Sequence, residues 1–139
     1  MGWGIGTAIG LAFADRSTPV ICITGDGSVL MNGQEITTAK QYDLPITFVV
    51  LNDSSLGMVK HGQQIENAAN IANKLPKVNF DKLAHSYGVW GKQFITLPKD
   101  PIQTGFPIVY DMLIDPNIVP PIDAHIAQLR DTSCQNRLA

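Results

Sequence analysis

The sequence predicts a three-layer α/β/α domain, in which a mainly parallel β-sheet lies between two layers of helices. Three observations lead to this fold class. Apolar runs of strand length alternate along the chain with segments of helical pattern. The apolar runs are continuous, which is typical of parallel strands that are buried on both faces. Glycine, asparagine, aspartate or proline ends most of these runs, and such residues favour turns.

The composition excludes several classes of protein. With 139 residues the chain has the length of one ordinary domain. Its formal net charge of −2 argues against a nucleic-acid-binding module, because phosphate binding usually leaves a basic face. No stretch approaches the ~20 apolar residues of a membrane helix, and the apolar start lacks the basic residues of a signal peptide. The 2 cysteines do not form a disulfide scaffold, so we expect a reduced, cytoplasmic setting.

The first part of the chain predicts a helix followed by one βαβ unit. Small and apolar residues recur at helical spacing over residues 5–14. The continuous apolar runs 19–24 and 46–51 are the two strands, and a helix over 32–41 connects them. A glycine turn is expected directly after the first strand. Because a helix links the strands, we expect them to be parallel with a right-handed crossover.

The middle of the chain predicts two helices with an irregular segment between them. One helix is expected over residues 56–64, and residues 66–78 are polar and irregular. Asn79 is placed to cap the N-terminus of a short helix over 80–87. Gly88 follows this helix and is expected to end it.

The last part of the chain predicts two strands, a closing helix and a flexible tail. The strands are expected at residues 91–95 and 107–114, the helix at 122–130 and the tail at 131–139. Residues 96–106 are barely long enough for a parallel crossover, and they contain prolines that oppose a helix. Either this connection is a bare loop or residues are missing there, which leaves the outer part of the sheet open.

Polar residues follow both strands of the βαβ unit, where parallel sheets bind ligands. Asp26 follows the first strand and Asn52 the second, so the two converge if the strands are neighbours. Carboxylate and amide oxygens suit magnesium or calcium rather than zinc. Gly25 and Gly27 allow phosphate oxygens close to the backbone, and Ser28 adds a hydroxyl and an N–H group. Each motif alone is also typical of a turn or a strand end, but together they predict a metal-bridged phosphate or diphosphate.

Gly25-Asp26-Gly27, followed one helix and one strand later by Asn52, resembles the signature of thiamine-diphosphate-dependent enzymes. The segments 1–10, 25–35 and 56–59, together with the polar and proline-containing stretch 114–121, resemble the acetolactate synthase branch of that family. The resemblance covers nearly the whole chain, but only the C-terminal, diphosphate-binding domain of a full enzyme. It implies the thiamine-diphosphate-binding fold, with residues 1–139 as a single domain of a longer enzyme.

The resemblance assigns roles to individual residues. Asp26, the side chain of Asn52 and the backbone carbonyl of Ser54 would hold Mg²⁺. Met1 matches the bulky apolar residue that bends the cofactor, and Gly27 would contact the diphosphate. The residues placed along the cofactor are Met1, Gly2, Gly25, Asp26, Gly27, Ser28, Asn52, Ser54, Leu56, Gly57 and Met58.

The resemblance also implies a reaction. The parent enzyme would decarboxylate pyruvate or a similar 2-oxo acid and ligate the product to a second 2-oxo acid. Three alternatives remain: another thiamine-diphosphate decarboxylase or carboligase, a non-catalytic diphosphate-binding subunit, and an unrelated α/β phosphate binder. His61 lies where synthases often carry a large aromatic near the active-site entrance. It would either influence the choice of acceptor or be a solvated histidine at a helix end.

The remaining implications concern parts outside this chain. The activating glutamate is expected on a pyrimidine-binding domain of the same or a partner chain. No catalytic residue is therefore expected here, and the isolated domain should be inactive. FAD is possible in a middle domain, and the protein is expected to be a homo-oligomer. Neither nucleic acid nor a membrane is an expected partner.

Overall fold

The computed structural model describes residues 1–96, 98 and 105–118. Four strands, five α-helices and one short 3₁₀-helix occur in this part of the chain. The helices are α1 (Trp3–Ala14), α2 (Asp26–Asn32), the 3₁₀-helix (Gly33–Glu35), α3 (Ile36–Gln41), α4 (Gly57–Ile65) and α5 (Phe80–Ser86), and the strands are β1 (Val20–Gly25), β2 (Ile46–Asn52), β3 (Trp90–Phe94) and β4 (Ile108–Leu113). The predicted closing helix at 122–130 and the tail at 131–139 lie outside the described residues.

The four strands form one sheet in the order β1-β2-β4-β3, and each neighbouring pair is parallel. The α/β class with a mainly parallel sheet is therefore confirmed. Helix α1 packs against β1 and β2, and α5 packs against β3 and β4. The sequence did not decide whether the last two strands join the sheet in parallel. In the structure they do, because β3 pairs with β4 in parallel. Part of the connection between these two strands lies outside the described residues.

The strands differ in how completely they are buried. Strand β2 lies inside the sheet, and its residues Ile46, Phe48 and Val50 are inaccessible to solvent. Strand β1 was expected to be buried on both faces, but Ile21 and Ile23 are 56% and 69% exposed. This expectation was wrong because, within the described residues, β1 packs the face that carries Cys22 into the core beside α1 and leaves the opposite face, with Ile21 and Ile23, accessible to solvent. A continuous apolar run therefore did not distinguish an edge strand from a central one.

The crossover between β1 and β2 differs from the predicted turn and single helix. Helix α2 begins at Asp26, directly after the last residue of β1, so no separate glycine turn is present. A 3₁₀-helix and α3 follow α2, and α3 ends at Gln41 as predicted. Of the four residues predicted as a turn, Gly25 ends β1 and residues 26–28 form the first turn of α2. This arrangement brings Asp26 to the edge of the sheet.

The two ends of α5 were predicted with different success. Gly88 adopts a φ of +73°, which ends the helix, and its N–H donates to the His85 carbonyl at 3.0 Å. Asn79 has the non-helical conformation of an N-cap, but its side chain makes no capping hydrogen bond. The Phe80 N–H instead donates to the carboxylate of Asp111 at 3.1 Å. A distant residue on β4 thus replaces the local cap that the sequence predicted.

No helix in the described ranges is long and apolar enough to cross a membrane.

The side chain of Asp15, in the loop after α1, has a lowered pKa that can be tested. Asp15 accepts hydrogen bonds from the Ser17 N–H (2.8 Å), the Ser17 hydroxyl (2.6 Å) and the Thr18 hydroxyl (2.6 Å). These bonds, led by the Ser17 hydroxyl, lower the pKa of Asp15 from 3.8 to about 2. Their stabilisation is present above the unfolded pKa and is lost as the pH falls through about 2.

We expect Ser17→Ala to raise the pKa of Asp15 toward its ordinary value, measured by NMR titration of its carboxyl carbon. Thr37→Ala is the control, because the Thr37 hydroxyl donates to the Gln34 carbonyl, away from Asp15. An unchanged Asp15 pKa in the Ser17 variant would contradict the role of the hydroxyl.

Candidate functional site

The carboxyl ends of β1 and β2 place the two predicted ligand side chains at the same level of the sheet. Gly25 at the end of β1 is paired with Leu51 of β2. Asp26 follows Gly25 as the first residue of α2, and Asn52 follows Leu51 as the last residue of β2. The parallel pairing thus gives the two residues adjacent register positions, as expected from the βαβ unit.

Asp26 is a buried carboxylate that the protein satisfies only in part. Its residue exposure is 4%. Oδ1 accepts the Gly27 N–H at 2.6 Å, whereas Oδ2 is buried and has no hydrogen-bond partner among the described residues. Burial raises the pKa of Asp26, and the charge of Asp53 raises it further, although backbone N–H groups oppose both effects. A buried carboxylate oxygen without a partner is costly, so this atom fits a cation or a donor from a ligand.

Asn52 is buried as well, and its amide is held by two acceptors. Nδ2 donates to Asp111 Oδ1 at 2.8 Å and to the Val78 carbonyl at 3.0 Å. These bonds use both hydrogens of the amide nitrogen. The amide oxygen is therefore the atom of Asn52 that remains for a ligand, which is the atom that a hard cation requires.

The loop after β2 is held by backbone contacts. Ser54 has a φ of 55°, in the left-handed region, and its carbonyl accepts the Leu75 N–H at 2.9 Å. The Leu56 N–H donates to the Asn73 carbonyl at 2.7 Å. Because a carbonyl oxygen has two lone pairs, Ser54 keeps one for a further ligand. The proposed third metal ligand thus lies on a loop fixed by the segment 73–75.

A cavity of about 160 Å³ lies between the start of α2 and the start of α4. Its walls contain eight of the residues that the resemblance placed along the cofactor, together with Ser55 and Val59: Met1, Gly25, Asp26, Gly27, Ser28, Leu56, Gly57 and Met58. Gly27 has little free space, because an added Cβ would lie 2.8 Å from Leu56 Cδ2 and 3.5 Å from Met1 Cε. The structure therefore brings together the glycine-rich segment, the α4 segment and the first residue.

A larger cavity, about 490 Å³, continues from the same site toward the end of β4. It shares Asp26 and Met58 with the smaller cavity and adds Asp53, His61 and Asp115 among others. His61 is only 3% exposed and lies with Nδ1 3.1 Å from Gln64 Oε1. The alternative of a solvated histidine at a helix end was therefore wrong.

Three predicted residues do not line these two cavities. Asn52, at the end of β2, and Ser54, in the loop that follows, are not among the lining residues. Gly2 lines a separate cavity with Trp3 and Asn32. Gly2 is the N-cap of α1 and has a φ of +80°, a conformation that favours glycine. A Cβ at this position would also lie 2.7 Å from Asn32 Nδ2.

The sequence reasoning missed Asp111, a buried residue that contacts Asn52. The only indication of it in the sequence is a single charged residue inside the apolar run that forms β4. Across the described ranges, no three His, Cys, Asp or Glu side chains could hold a metal ion together. A cation at the edge of β1 and β2 would therefore use Asp26 with amide and carbonyl oxygens, a donor set that suits Mg²⁺.

Comparison with known proteins identifies the class. Residues 1–104 match the family described as "Thiamine pyrophosphate enzyme, C-terminal TPP binding domain". The chain belongs to this family, as its motifs predicted.

Within the family, the chain resembles acetolactate synthase large subunits. It is 38% identical to that subunit from Buchnera aphidicola subsp. Schlechtendalia chinensis over an alignment of 153 positions, gaps included, which covers 99% of this chain and 25% of the relative. It is 42% identical over 97 residues to the large subunit of acetolactate synthase isozyme 3 from Escherichia coli, covering 67% of this chain and 17% of the relative. The chain thus spans a quarter or less of the length of these relatives.

A solved structure supports the fold independently. The thiamine diphosphate-dependent 4-hydroxybenzoylformate decarboxylase from Rhodococcus jostii RHA1 aligns with a TM-score of 0.70 and 23% identity. The alignment covers 83% of this chain and 23% of that protein. At this identity the likeness establishes the fold alone.

Proposed function

We propose that this chain binds the diphosphate end of thiamine diphosphate through Mg²⁺, as the C-terminal domain of an acetolactate synthase-like enzyme. That enzyme would decarboxylate pyruvate or a similar 2-oxo acid and ligate the product to a second 2-oxo acid. The observation that carries the proposal is the buried Oδ2 of Asp26, which has no partner among residues 1–96, 98 and 105–118. Asp26 and Asn52 each follow one member of the last paired residues of β1 and β2, Gly25 and Leu51. Family membership and the similarity to synthase subunits support the choice of cofactor.

The ligands for Mg²⁺ in this proposal are Asp26 Oδ2, Asn52 Oδ1 and the Ser54 carbonyl. Mg²⁺ commonly combines a few protein oxygens with phosphate oxygens of a ligand. The cation would offset the cost of burying Asp26, while Gly27 allows the diphosphate close to the backbone. Met1 contributes an apolar side chain to the wall of the smaller cavity. When bound, thiamine diphosphate supplies the nucleophilic carbon and the electron sink for decarboxylation.

The rest of the active site belongs to other domains in this proposal. The pyrimidine-binding domain, in the same or a partner chain, would supply the activating glutamate, so residues 1–139 alone would be inactive. Any FAD would bind a middle domain, and the complete enzyme would work as a cytoplasmic homo-oligomer. Exposed Trp3, Ile21 and Ile23 are consistent with surfaces that other domains or chains cover.

Cofactor binding is tested by isothermal titration of the complete polypeptide that contains this sequence. We expect thiamine diphosphate to bind with Mg²⁺ present and to lose its binding heat in excess EDTA. Thiamine, which lacks the diphosphate, is the matched ligand control and is expected not to bind measurably. For residues 1–139 alone, a Kd in the millimolar range, about −4 kcal/mol, is expected. Equal binding in EDTA, or no binding by the folded complete polypeptide, would contradict the proposal.

A second candidate is a 2-oxo acid decarboxylase with the same cofactor. It remains because family membership supports the cofactor and not the reaction, and because the buried His61 gives the wall of the larger cavity a polar side chain. Product analysis with pyruvate distinguishes the two reactions. A synthase converts two pyruvate molecules to acetolactate and carbon dioxide, whereas a decarboxylase releases acetaldehyde and carbon dioxide.

A further inference from the structure

Asp111 is a charged residue at the centre of the sheet. It lies in β4, between β2 and β3, and its exposure is 0%. Its carboxylate accepts three hydrogen bonds from three different elements: Asn52 Nδ2 at 2.8 Å, the Phe80 N–H at 3.1 Å and Gln93 Nε2 at 2.9 Å. A fully buried carboxylate is costly unless it is well hydrogen-bonded, and here the protein provides the partners.

The register explains how Asp111 meets Asn52. Asn52 is paired with Leu113, and Asp111 lies two residues earlier on the same face of β4. Diagonal neighbours of this kind are within side-chain reach across paired strands. Within the described part of the chain, the two oxygens of the carboxylate divide their partners: Oδ1 accepts from Asn52, whereas Oδ2 accepts from Phe80 and Gln93.

An asparagine amide can present either its oxygen or its nitrogen to a ligand, since the two ends are nearly equal in size. A cation is attracted by the oxygen and repelled by the NH₂ group. Asp111 Oδ1 and the Val78 carbonyl are both acceptors, so they hold the NH₂ end of Asn52. The bond to Asp111 is charge-assisted and therefore the stronger of the two.

We propose that Asp111 is a positioning residue of the cofactor site, which holds the Asn52 amide with its oxygen free for the divalent cation. The inference rests on the proposed function, because it needs Mg²⁺ at Asn52. Asp111 acts through Asn52 and does not itself contact the cation. Residues that orient metal ligands in this way commonly contribute 10–100-fold to metal affinity.

The first test is the Mg²⁺ affinity of Asp111→Asn, titrated at saturating thiamine diphosphate in the complete polypeptide. The introduced amide keeps the shape of the side chain, but it can accept from Phe80 and Gln93 only by turning its own NH₂ group toward Asn52 Nδ2. We expect Mg²⁺ to bind about 10–100-fold more weakly. Gln93→Met is the matched control, because it removes a donor to Asp111 Oδ2 and leaves Asn52 in place. Its Mg²⁺ affinity is expected to change less than about threefold, below the range for loss of a positioning partner.

The second test is rescue by exchange of the two side chains in Asn52→Asp/Asp111→Asn. The amide introduced in β4 would then donate to one oxygen of the carboxylate introduced in β2, and the other oxygen of that carboxylate would be free for the cation. The Val78 carbonyl loses its donor in this variant, so the recovery is expected to be partial. We expect the double variant to bind Mg²⁺ more tightly than Asp111→Asn alone, by about tenfold. The single variant Asn52→Asp completes the cycle, because a carboxylate at position 52 is by itself a stronger cation ligand than an amide. A purely structural role of Asp111 would make the effects of the two substitutions on Mg²⁺ affinity additive. If Asp111→Asn alone does not fold, the double variant still decides, because it is expected to fold and bind.

The possible outcomes are separable. Wild-type Mg²⁺ affinity in Asp111→Asn, or additive effects of the two substitutions in the cycle, overturns the positioning role and leaves the proposed function standing. Absence of Mg²⁺-dependent binding in the wild-type protein overturns the proposed function and this inference together.

Discussion

Replacing Asp26 by asparagine is expected to abolish Mg²⁺-dependent cofactor binding and, at the same time, to make the metal-free protein more stable. The two effects have one cause, since the carboxylate is buried at 4% exposure and Oδ2 has no partner. Without a cation this arrangement costs free energy, and asparagine carries no charge that must be buried. We expect the free energy of unfolding to rise by about 1–2 kcal/mol. We expect Mg²⁺ affinity to fall by more than ~100-fold, beyond the range seen for outer partners of a metal ligand.

The stabilisation is expected to depend on pH with a defined sign. Burial raises the pKa of Asp26 in the folded chain above 3.8. The unfolded chain therefore releases this proton first as the pH rises, and the metal-free fold loses stability between the unfolded and the folded pKa. Below the unfolded pKa the group contributes no penalty. The stability difference between Asp26→Asn and wild type should be larger at pH 7 than at pH 4 in EDTA.

Urea unfolding in EDTA and calorimetric titration of Mg²⁺ measure the two effects on the same samples. Asp43→Asn is the charge-matched control, because the Asp43 side chain is 71% exposed and lies in an i,i+3 ion pair with Lys40. Its cofactor binding is expected to equal that of the wild type. An Asp26→Asn protein that is less stable than wild type in EDTA would show that Oδ2 of Asp26 already has a partner in the metal-free protein.

Replacing Gly91 by alanine is expected to cause a large loss of stability. Gly91 lies in β3 beneath α5, and an added Cβ would lie 2.7 Å from the Asp81 carbonyl oxygen and 3.0 Å from Ala84 Cβ. The obstacle is backbone, which cannot turn aside as a flexible side chain does. The helix would have to move away from the strand. We expect the free energy of unfolding to fall by about 2–3 kcal/mol, the upper range for overpacking.

Gly10→Ala is the matched control for this substitution. Gly10 lies in α1, and nothing is within 4 Å of its added Cβ. Because alanine is a better helix former than glycine, we expect a gain of about 0.5–1 kcal/mol. Urea unfolding of both variants gives the comparison. A Gly91→Ala protein as stable as the wild type would mean that α5 is not seated against β3 as the structure shows.

Several features of this protein follow from local sequence alone. The apolar runs at 46–51 and 107–114 predicted strands because they contain β-branched and aromatic residues, which favour the extended conformation. Gly88 predicted the end of α5 because the left-handed conformation is favourable for glycine. The motif of Gly25, Asp26, Gly27 and Asn52 identified the family, which the comparison confirmed. These features depend on residues whose preferences do not require a distant partner.

Other features were decided by tertiary structure. The sequence could not show that β1 leaves Ile21 and Ile23 exposed, because exposure depends on which elements cover a strand. It predicted a local cap for α5, whereas the capping acceptor is Asp111 on a strand that comes 31 residues after Phe80. The same carboxylate holds Asn52, 59 residues away, through a register that only the assembled sheet creates. Local pattern thus determined which residues could form the site, and strand pairing decided how their polar atoms are satisfied.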